Sequence, residues 1–262
     1  MSTEVEKPKE DMAEGTLLSH LIELRTRLVR MFIAVIVVFI VLVPFSNQIF
    51  EIAAQPIVSV VPGGQLISVQ PAAPLLTPLK LTFFAALFIA MPVVLYQVWA
   101  FVAPGLYLKE KRFAFPLLGS SILLFYAGIA FAYFVVFDLV FGFFVSVTPD
   151  IVQNQPDISA FLDFIIKIFL AFGLAFEVPV ATVLIVWTGL TTPKKLTKAR
   201  PYVFLMAFVA GMFLTPPDVI SQTLLAVPVY LLYELGIIMS RLFTRDRKKG
   251  DDEAVTTDSP AP

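Results

Sequence analysis

The sequence predicts an all-α membrane protein in which six helices cross the bilayer and both ends of the chain lie in the cytoplasm. Three observations support this fold class. Apolar residues make up 58% of the 262 residues and charged residues only 15%, against roughly 45–50% and 25% in soluble domains. Apolar segments long enough to cross a bilayer recur along the chain. The basic residues are concentrated between alternate segments, in accordance with the positive-inside rule.

Six apolar segments are the predicted spans. A helix needs about 20 apolar residues to cross about 30 Å of hydrocarbon. The first four segments approach or exceed that length, whereas the last two have only 13 and 15 residues. The sequence therefore predicts two short final helices. In chain order the six segments are Leu28–Phe45, Leu81–Ala103, Phe113–Phe137, Ile168–Leu190, Tyr202–Leu214 and Val219–Tyr233.

Residues 215–218, TPPD, separate the last two segments. Two successive prolines remove two backbone donors and favour a turn, but they do not by themselves exclude one long kinked helix. Charge placement decides in favour of six spans. With six spans, 17 of the 19 basic residues lie on the cytoplasmic side, and only Lys80 and Lys167, at span edges, lie on the other. Five spans would place the basic C-terminal tail outside, against the positive-inside rule.

The chain divides into a membrane domain and two polar tails. Residues 1–15 and 244–262 are polar and charged, which predicts disorder, and residues 16–243 form the predicted six-span domain. The first apolar segment is longer than the core of a signal peptide, and further spans follow it, so it is predicted to stay in the protein. The two long external loops are residues 46–78, which is predicted to be packed, and 142–163.

The motifs of several enzyme classes are missing from the sequence. There is no cysteine and only one histidine, His20, so disulfides, thiol chemistry and an HExxH zinc site are excluded. Neither a GxSxG nucleophile elbow nor a GxxxxGK[ST] phosphate loop is present. We therefore predict no catalytic residue, no metal and no cofactor. If the protein moves a substrate, the energy comes from partners or from an ion gradient.

Two polar segments adjoin the predicted cytoplasmic surface. In residues 19–28, SHLIELRTRL, Leu21, Leu24 and Leu28 share a helical face, and Glu23 and Arg27 have the i, i+4 spacing of an ion pair. In residues 97–111, QVWAFVAPGLYLKEK, a Pro-Gly pair ends the second span and Glu110 lies among basic residues. On pattern alone, an interfacial amphipathic helix and a solvated turn explain both segments.

Two further polar side chains interrupt apolar spans. Glu177 lies near the middle of the fourth span, where a charged carboxylate costs about 2.5–3.5 kcal/mol or more. A neutral acid at a helix contact and a functional acid are both compatible with this position. Asp218 has the position of an N-cap of the sixth helix. Gln222, one turn into that helix, has no such explanation.

Taken together, these segments resemble the TatC family, the receptor subunits of the twin-arginine protein translocase. The matching segments are residues 19–28, 96–111 (YQVWAFVAPGLYLKEK), 176–180 (FEVPV) and 200–228 (RPYVFLMAFVAGMFLTPPDVISQTLLAVP). The resemblance extends over residues 17–243. It implies six helices arranged as a cupped hand, with a concave face open to lipid. The short fifth span agrees with this arrangement, because a short helix thins the bilayer locally.

The resemblance also implies a function and a site. Members of the family bind signal peptides that carry a paired Arg-Arg and pass folded proteins across the membrane with the proton gradient. Glu23 and Glu110 correspond to the family's acidic recognition site, Phe101 borders it, and Arg25 is the residue expected to hold Glu23. An arginine fork accepts a carboxylate in a bidentate pair, which a lysine cannot do.

Partners and location follow from the same resemblance. Single-span TatA- and TatB-type subunits are expected to dock along the fifth and sixth spans in a multimeric complex, and the expected contact residues are Met212, Phe213, Thr215 and Gln222. Glu177 is expected to face the concave cavity. The expected location is a bacterial cytoplasmic membrane, although a plastid homologue would have similar features. No nucleic-acid partner is indicated.

Other function classes were weighed against this one. A small-solute secondary transporter that uses Glu177 as a proton relay is the main alternative. It requires a polar pathway between helices, and the second and third spans are almost without polar features. An intramembrane protease lacks its nucleophile and base motifs. Binding of an Arg-Arg peptide, and its loss on Lys-Lys substitution, separates these possibilities.

Overall fold

The computed structural model describes residues 9–60, 67–102, 111–147, 157–214 and 219–257. Within these ranges the regular secondary structure is helical, apart from one isolated bridge between Ile67 and Asp157. The helices are α1 (Lys9–Leu42), α2 (Ser46–Val60), α3 (Ala73–Val102), α4 (Lys111–Phe131), α5 (Phe137–Val147), α6 (Ile158–Ala175), α7 (Val178–Trp187), α8 (Pro193–Lys198), α9 (Arg200–Leu214) and α10 (Val219–Thr257).

The first helix packs on one neighbour and is otherwise open. α1 lies along α3, and Val35 is its only buried residue among those whose side chains the structure describes. A single turn of 3-10 helix, Val43–Phe45, joins α1 to α2. α2 then packs on α3 with Ala53 and Ala54 buried. The first part of residues 46–78, the segment predicted to be a long external loop, is therefore packed, as predicted, and it is helical.

Aromatic side chains fill the centre of the molecule, where α4, α5 and α6 meet α3. Phe125, Phe137 and Phe172 are almost completely buried. The rings of Phe137 and Phe169 stack with their centroids 5.3 Å apart. A π-helical turn, Ala132–Val136, lies between α4 and α5. Offset and edge-on aromatic pairs of this kind add about 0.5–1.5 kcal/mol each beyond the area they bury.

The fourth apolar stretch is helical but broken. Residues Ile158–Trp187 are long and apolar enough to span a bilayer, and the break between α6 and α7 falls at Phe176 and Glu177. Pro179 is in the first turn of α7. Because proline has no N–H, it cannot bond back to the preceding turn, and the helix restarts there.

The last two helices differ from the prediction in one respect. α9 is short, with 15 residues, but the apolar part of α10 runs from Val219 to Leu242 and has 24 residues. The predicted end of this span at Tyr233, placed there because Glu234 follows, was wrong. The Glu234 carboxylate is bonded to Arg200 and Tyr230, so its charge is compensated and the helix continues.

Among the described residues, five helical stretches are long and apolar enough to cross a membrane, and α9 is a shorter apolar helix. α10 packs on α7 and α9. Gly236 permits the close approach to α7, because a Cβ there would lie 3.0 Å from the Cα of Pro179. Small residues commonly allow such approaches between membrane helices. The predicted domain limits, at residues 15 and 244, stay a prediction.

Candidate functional site

Glu23 lies on α1 and is held by a residue of the same helix. Arg27, one turn later, donates from Nε to Glu23 Oε1 at 3.1 Å and also from Nη2 to the same oxygen. The i, i+4 pair that the spacing predicted is therefore confirmed. The Glu23 side chain keeps 36% of its surface exposed. Arg25 is exposed, and its expected part in holding Glu23 stays a prediction.

The packing of α1 on α3 shows which ends of the two helices coincide. The rings of Phe39 and Phe83 are 5.8 Å apart, so the late part of α1 contacts the early part of α3, which is the contact expected of two successive antiparallel spans. Glu23 precedes Phe39 by about 24 Å of helix, and Phe101 follows Phe83 by about 27 Å. Glu23 and Phe101 therefore lie toward the same end of the molecule.

Phe101 is half-buried near the end of α3, beside the buried Trp99. Glu110 lies outside the described residues, immediately before Lys111 begins α4. The chain leaves α3 and enters α4 at the same end at which Glu23 lies. The expected partnership of Glu23 and Glu110 stays a prediction.

Glu177 lies at the break between α6 and α7. Its Oε2 accepts a hydrogen bond from the hydroxyl of Ser121 on α4. Its Oε1 is buried and finds no hydrogen-bond partner within the described ranges. Only one of the two carboxyl oxygens is therefore hydrogen-bonded, and burying the other without a partner costs free energy in an apolar environment. Its second oxygen is enclosed by the chain, so a polar group from outside can bond it only after neighbouring side chains move.

Ser121 is a residue that the sequence analysis missed. Its side chain is buried, although the third span was considered almost featureless. The available signal was the short polar interruption Gly119-Ser120-Ser121 in an apolar segment. A serine hydroxyl in a membrane helix is easily overlooked, because it can bond its own backbone. Ser120 does so, donating to the carbonyl of Leu117 at 2.8 Å.

The structure accounts for Gln222, which had no explanation in the sequence. Its Nε2 donates to the carbonyl oxygen of Phe208 on α9 at 2.6 Å, and its side chain packs beside Gly211. Gln222 therefore joins α9 and α10. Met212 and Phe213 are exposed on α9, and Thr215 lies outside the described residues. The predicted docking role of these four residues stays a prediction.

A second polar cluster, which was also not predicted from the sequence, joins the start of α9 to α10. Arg200 Nη2 and Glu234 Oε2 are 2.6 Å apart, and the hydroxyl of Tyr230 donates to Glu234 Oε1 at 2.9 Å. The hydroxyl of Tyr233 donates to the carbonyl of Leu196 on α8 at 2.8 Å. In sequence, Arg200 and Glu234 are 34 residues apart, and no local spacing pairs them.

No cluster of potential metal ligands occurs among the described residues. The site is instead an arrangement of acids, two of which the structure describes: Glu23 at one end of the molecule and Glu177 within the apolar part. Such acids can receive cationic or hydrogen-bonding groups.

Comparison with known proteins decides the family. The model of the family described as Sec-independent protein translocase protein (TatC) matches residues 19–228. The chain belongs to the TatC family. The resemblance stated from four sequence motifs is therefore confirmed, and the match contains Glu23, Phe101, Glu110, Glu177 and Gln222.

Similar TatC proteins occur in several bacteria. The chain is 52% identical to the Sec-independent protein translocase protein TatC of Haemophilus influenzae over 91% of this chain and 93% of the relative. It is 54% identical to that of Escherichia coli over 87% of this chain and 88% of the relative. A crystal structure of the twin-arginine translocase receptor TatC matches with a TM-score of 0.78 and 38% identity, covering 86% of this chain and 99% of the other.

This TatC-family chain is therefore a multi-span membrane component of the bacterial Sec-independent translocase, and it belongs to a Tat complex with other subunits. The small-solute transporter is not favoured. Its proposed relay residue, Glu177, is bonded to Ser121 at a helix contact.

Proposed function

We propose that this chain is the receptor that binds the Arg-Arg signal peptides of folded cargo proteins at Glu23 and Glu110. With TatA- and TatB-type subunits, it exports these proteins with the energy of the proton gradient. The chain crosses the cytoplasmic membrane of a bacterium six times, with both termini in the cytoplasm. The proposal rests on the TatC-family match and on the distribution of 17 of 19 basic residues.

The observation that best supports the proposed site is the ion pair and the exposure of Glu23. This carboxylate is fixed by Arg27 yet keeps 36% of its side-chain surface exposed. An ionised carboxylate can accept several hydrogen bonds, so a guest arginine can share it. Fixing the carboxylate in advance also lowers the entropic cost of binding a guest. Phe101 supplies an apolar surface at the same end of the molecule, where Glu110 is the second proposed acid.

Peptide binding tests this site. An Arg-Arg signal peptide should bind the full chain in detergent, measured by fluorescence anisotropy, and its Lys-Lys counterpart should bind less tightly. Glu23→Gln or Glu110→Gln should each weaken Arg-Arg binding, because loss of one charge-assisted pair costs about 1–3 kcal/mol. The matched control is Glu51→Gln, which changes an exposed acid on α2. Unchanged binding in the Glu23→Gln/Glu110→Gln double variant would overturn the site.

Glu177 has a separate proposed role within the membrane. The proposed contact is with a span of the inserted signal peptide or of a partner subunit, and it requires neighbouring side chains to move, because the unpartnered oxygen is buried. Glu177→Ala should therefore impair export of folded cargo while the Arg-Arg peptide still binds at the surface. Glu177→Gln should be milder, since an amide and a neutral acid can both donate a hydrogen bond. Normal export by Glu177→Ala would show that Glu177 serves only as a helix contact.

The proposed partner surface is the exposed side of α9 next to α10. Met212 and Phe213 are exposed there, with Phe213 at 77%. The side chain of Gln222 is already bonded to α9. Its proposed role in docking is therefore indirect: it fixes the angle between α9 and α10. Site-specific crosslinking from Met212 to a single-span subunit tests the contact, and crosslinking from Leu139 on α5, which is also exposed, is the control.

A further inference from the structure

An apolar groove runs between α4, α7 and α10, and the proposed function leaves it unused. Its walls extend from Pro116 to Ala127 on α4, from Phe176 to Trp187 along α7, and from Leu232 to Met239 on α10. Every lining side chain is apolar except that of Ser120, whose hydroxyl is bonded to its own helix. The groove has a volume of about 470 Å³.

The dimensions of the groove restrict what can fill it. The eleven residue steps along α4 and along α7 correspond to a length of about 16 Å. A groove of this length with almost entirely apolar walls fits an extended hydrocarbon chain.

Basic residues follow the groove at one end only. α4 begins at Lys111, five residues before Pro116. Trp187 ends α7, and the exposed Lys194 and Lys195 follow on α8. On α10, Arg241 comes two residues after Met239 and donates to Thr197 Oγ1 at 2.7 Å.

All three walls thus have their basic residues toward the same end. α4 runs away from this end, whereas α7 and α10 run toward it. The bond between Arg241 and Thr197 holds α8, with its lysines, against the end of α10. A tryptophan at that level is typical of the boundary between hydrocarbon and headgroups.

We propose that this groove is a binding site for an anionic phospholipid of the leaflet that faces the basic ends. One acyl chain lies in the groove, and the phosphate lies among Lys194, Lys195 and Arg241. Basic pockets between membrane helices are known to select anionic headgroups. The apolar walls alone would accept any lipid, so the basic end provides the selectivity.

The two tryptophans of the chain allow a direct test, because Trp187 lines the groove and Trp99 is buried in α3. The full chain with Trp99→Phe is reconstituted in phosphatidylcholine vesicles. One set of vesicles contains a small fraction of phosphatidylglycerol with brominated acyl chains, and the other set contains an equal fraction of phosphatidylcholine with brominated acyl chains. Bromine quenches tryptophan fluorescence. Brominated phosphatidylglycerol should quench Trp187 at a lower mole fraction than brominated phosphatidylcholine. The two mole fractions should differ by about fivefold for each basic residue that contacts the phosphate. Added salt should reduce this difference.

Two sets of variants locate the effect. Lys195→Gln/Arg241→Gln should remove most of the preference for phosphatidylglycerol. The control Arg30→Gln/Lys167→Gln, which removes two exposed charges that do not line the groove, should retain it. Ser120→Phe, which fills the groove, should reduce quenching by both lipids.

Several results would overturn the proposal. Equal quenching by the two lipids would show that the groove does not select a headgroup. Quenching by neither lipid would show that a protein segment occupies the groove. A preference that survives Ser120→Phe would place the lipid elsewhere. Since no signal peptide is present, each of these outcomes leaves the proposed receptor function intact.

Discussion

Two carboxylates of the apolar region, Glu177 and Glu234, are stabilised in different ways. Glu234 is bonded to a tyrosine hydroxyl and paired with Arg200, so its negative charge is compensated. Glu177 has a serine hydroxyl and, within the described ranges, no cationic partner. A charged carboxylate without a cation is costly in hydrocarbon. Of the two acids, Glu177 is therefore the one whose charged form is stabilised more when a polar group from outside the chain reaches it.

Ser121 should contribute to stability through Glu177. Ser121→Ala removes a donor to a buried carboxyl group, and leaving such a group unsatisfied costs about 1–3 kcal/mol. The free energy of unfolding, measured by denaturant titration in micelles, should fall by that amount. Ser120→Ala is the matched control, because its hydroxyl bonds only the carbonyl of Leu117, and its effect should stay within about 0.5 kcal/mol.

A double-mutant cycle shows whether the two side chains act together. Ser121→Ala and Glu177→Ala should be less than additive when combined, since either change alone removes the shared hydrogen bond. Strict additivity would mean that the Ser121 hydroxyl does not contribute through Glu177.

At the scale of the helix, one side chain joins the start of α6 to the segment before α3. Asp157 caps the N-terminus of α6, accepting from the backbone N–H of Ala160 at 3.1 Å, and it also accepts from the N–H of Val69 at 3.1 Å. The N–H of Ile158 donates to the carbonyl of Ile67 at 2.9 Å. The start of α6 is thereby fixed to the segment before α3. Lys80 and Asp163 add an ion pair, at 2.5 Å, between the same helices.

This cap makes the contact between α6 and the segment before α3 sensitive to acid. The hydrogen bonds from the N–H groups of Val69 and Ala160 lower the pKa of Asp157 below its ordinary value. A carboxyl group whose pKa is lower in the folded state stabilises the protein above its unfolded pKa of about 4. That stabilisation is lost as the pH falls through the lower, folded pKa. The melting temperature of the protein should therefore drop below about pH 4.

Variants at this position separate the titration from the cap. Asp157→Asn keeps an acceptor for the backbone N–H groups but cannot titrate, so the acid-dependent drop should be smaller. Asp157→Ala should lower the melting temperature at neutral pH as well, because an alanine cannot cap a helix. The acid-dependent drop should thus diminish in both variants. An unchanged pH profile in Asp157→Asn would refute the assigned role.

At the scale of the whole molecule, the helices differ in length across the membrane. α9 has 15 residues, or about 22 Å, which is less than the hydrocarbon thickness of about 30 Å. The predominantly apolar stretch of α10, which has 24 residues, corresponds to about 36 Å. We therefore expect the bilayer to be thinner beside α9 but not beside α10.

Accessibility scanning tests this asymmetry. The chain has no cysteine, so single-cysteine variants report one position each. In native membranes, the run of positions along α9 that resists a water-soluble maleimide should be about 13–15 residues, against about 20 along α3. Scanning α3 in the same preparation supplies the control. A protected run in α9 as long as that in α3 would exclude thinning at this side.

Much of this architecture could be predicted because hydropathy and charge are local properties of a sequence. An apolar run of about 20 residues becomes a membrane helix in almost any context, since the backbone can satisfy its hydrogen bonds within the helix. The helical class and the shortness of α9 were therefore predicted from composition and spacing. The pair of Glu23 with Arg27 was predictable for the same reason, as both lie on one turn of one helix.

What the tertiary structure decided is which side chains meet across helices. Ser121 and Glu177 are 56 residues apart, Arg200 and Glu234 are 34 apart, and Gln222 reaches the carbonyl of Phe208. Each contact depends on the rotation and depth of two packed helices, which no local pattern specifies. The same holds for the length of α10, since Glu234 ends an apolar run in the sequence. In the fold its charge is compensated by a helix that packs beside it, so the span continues.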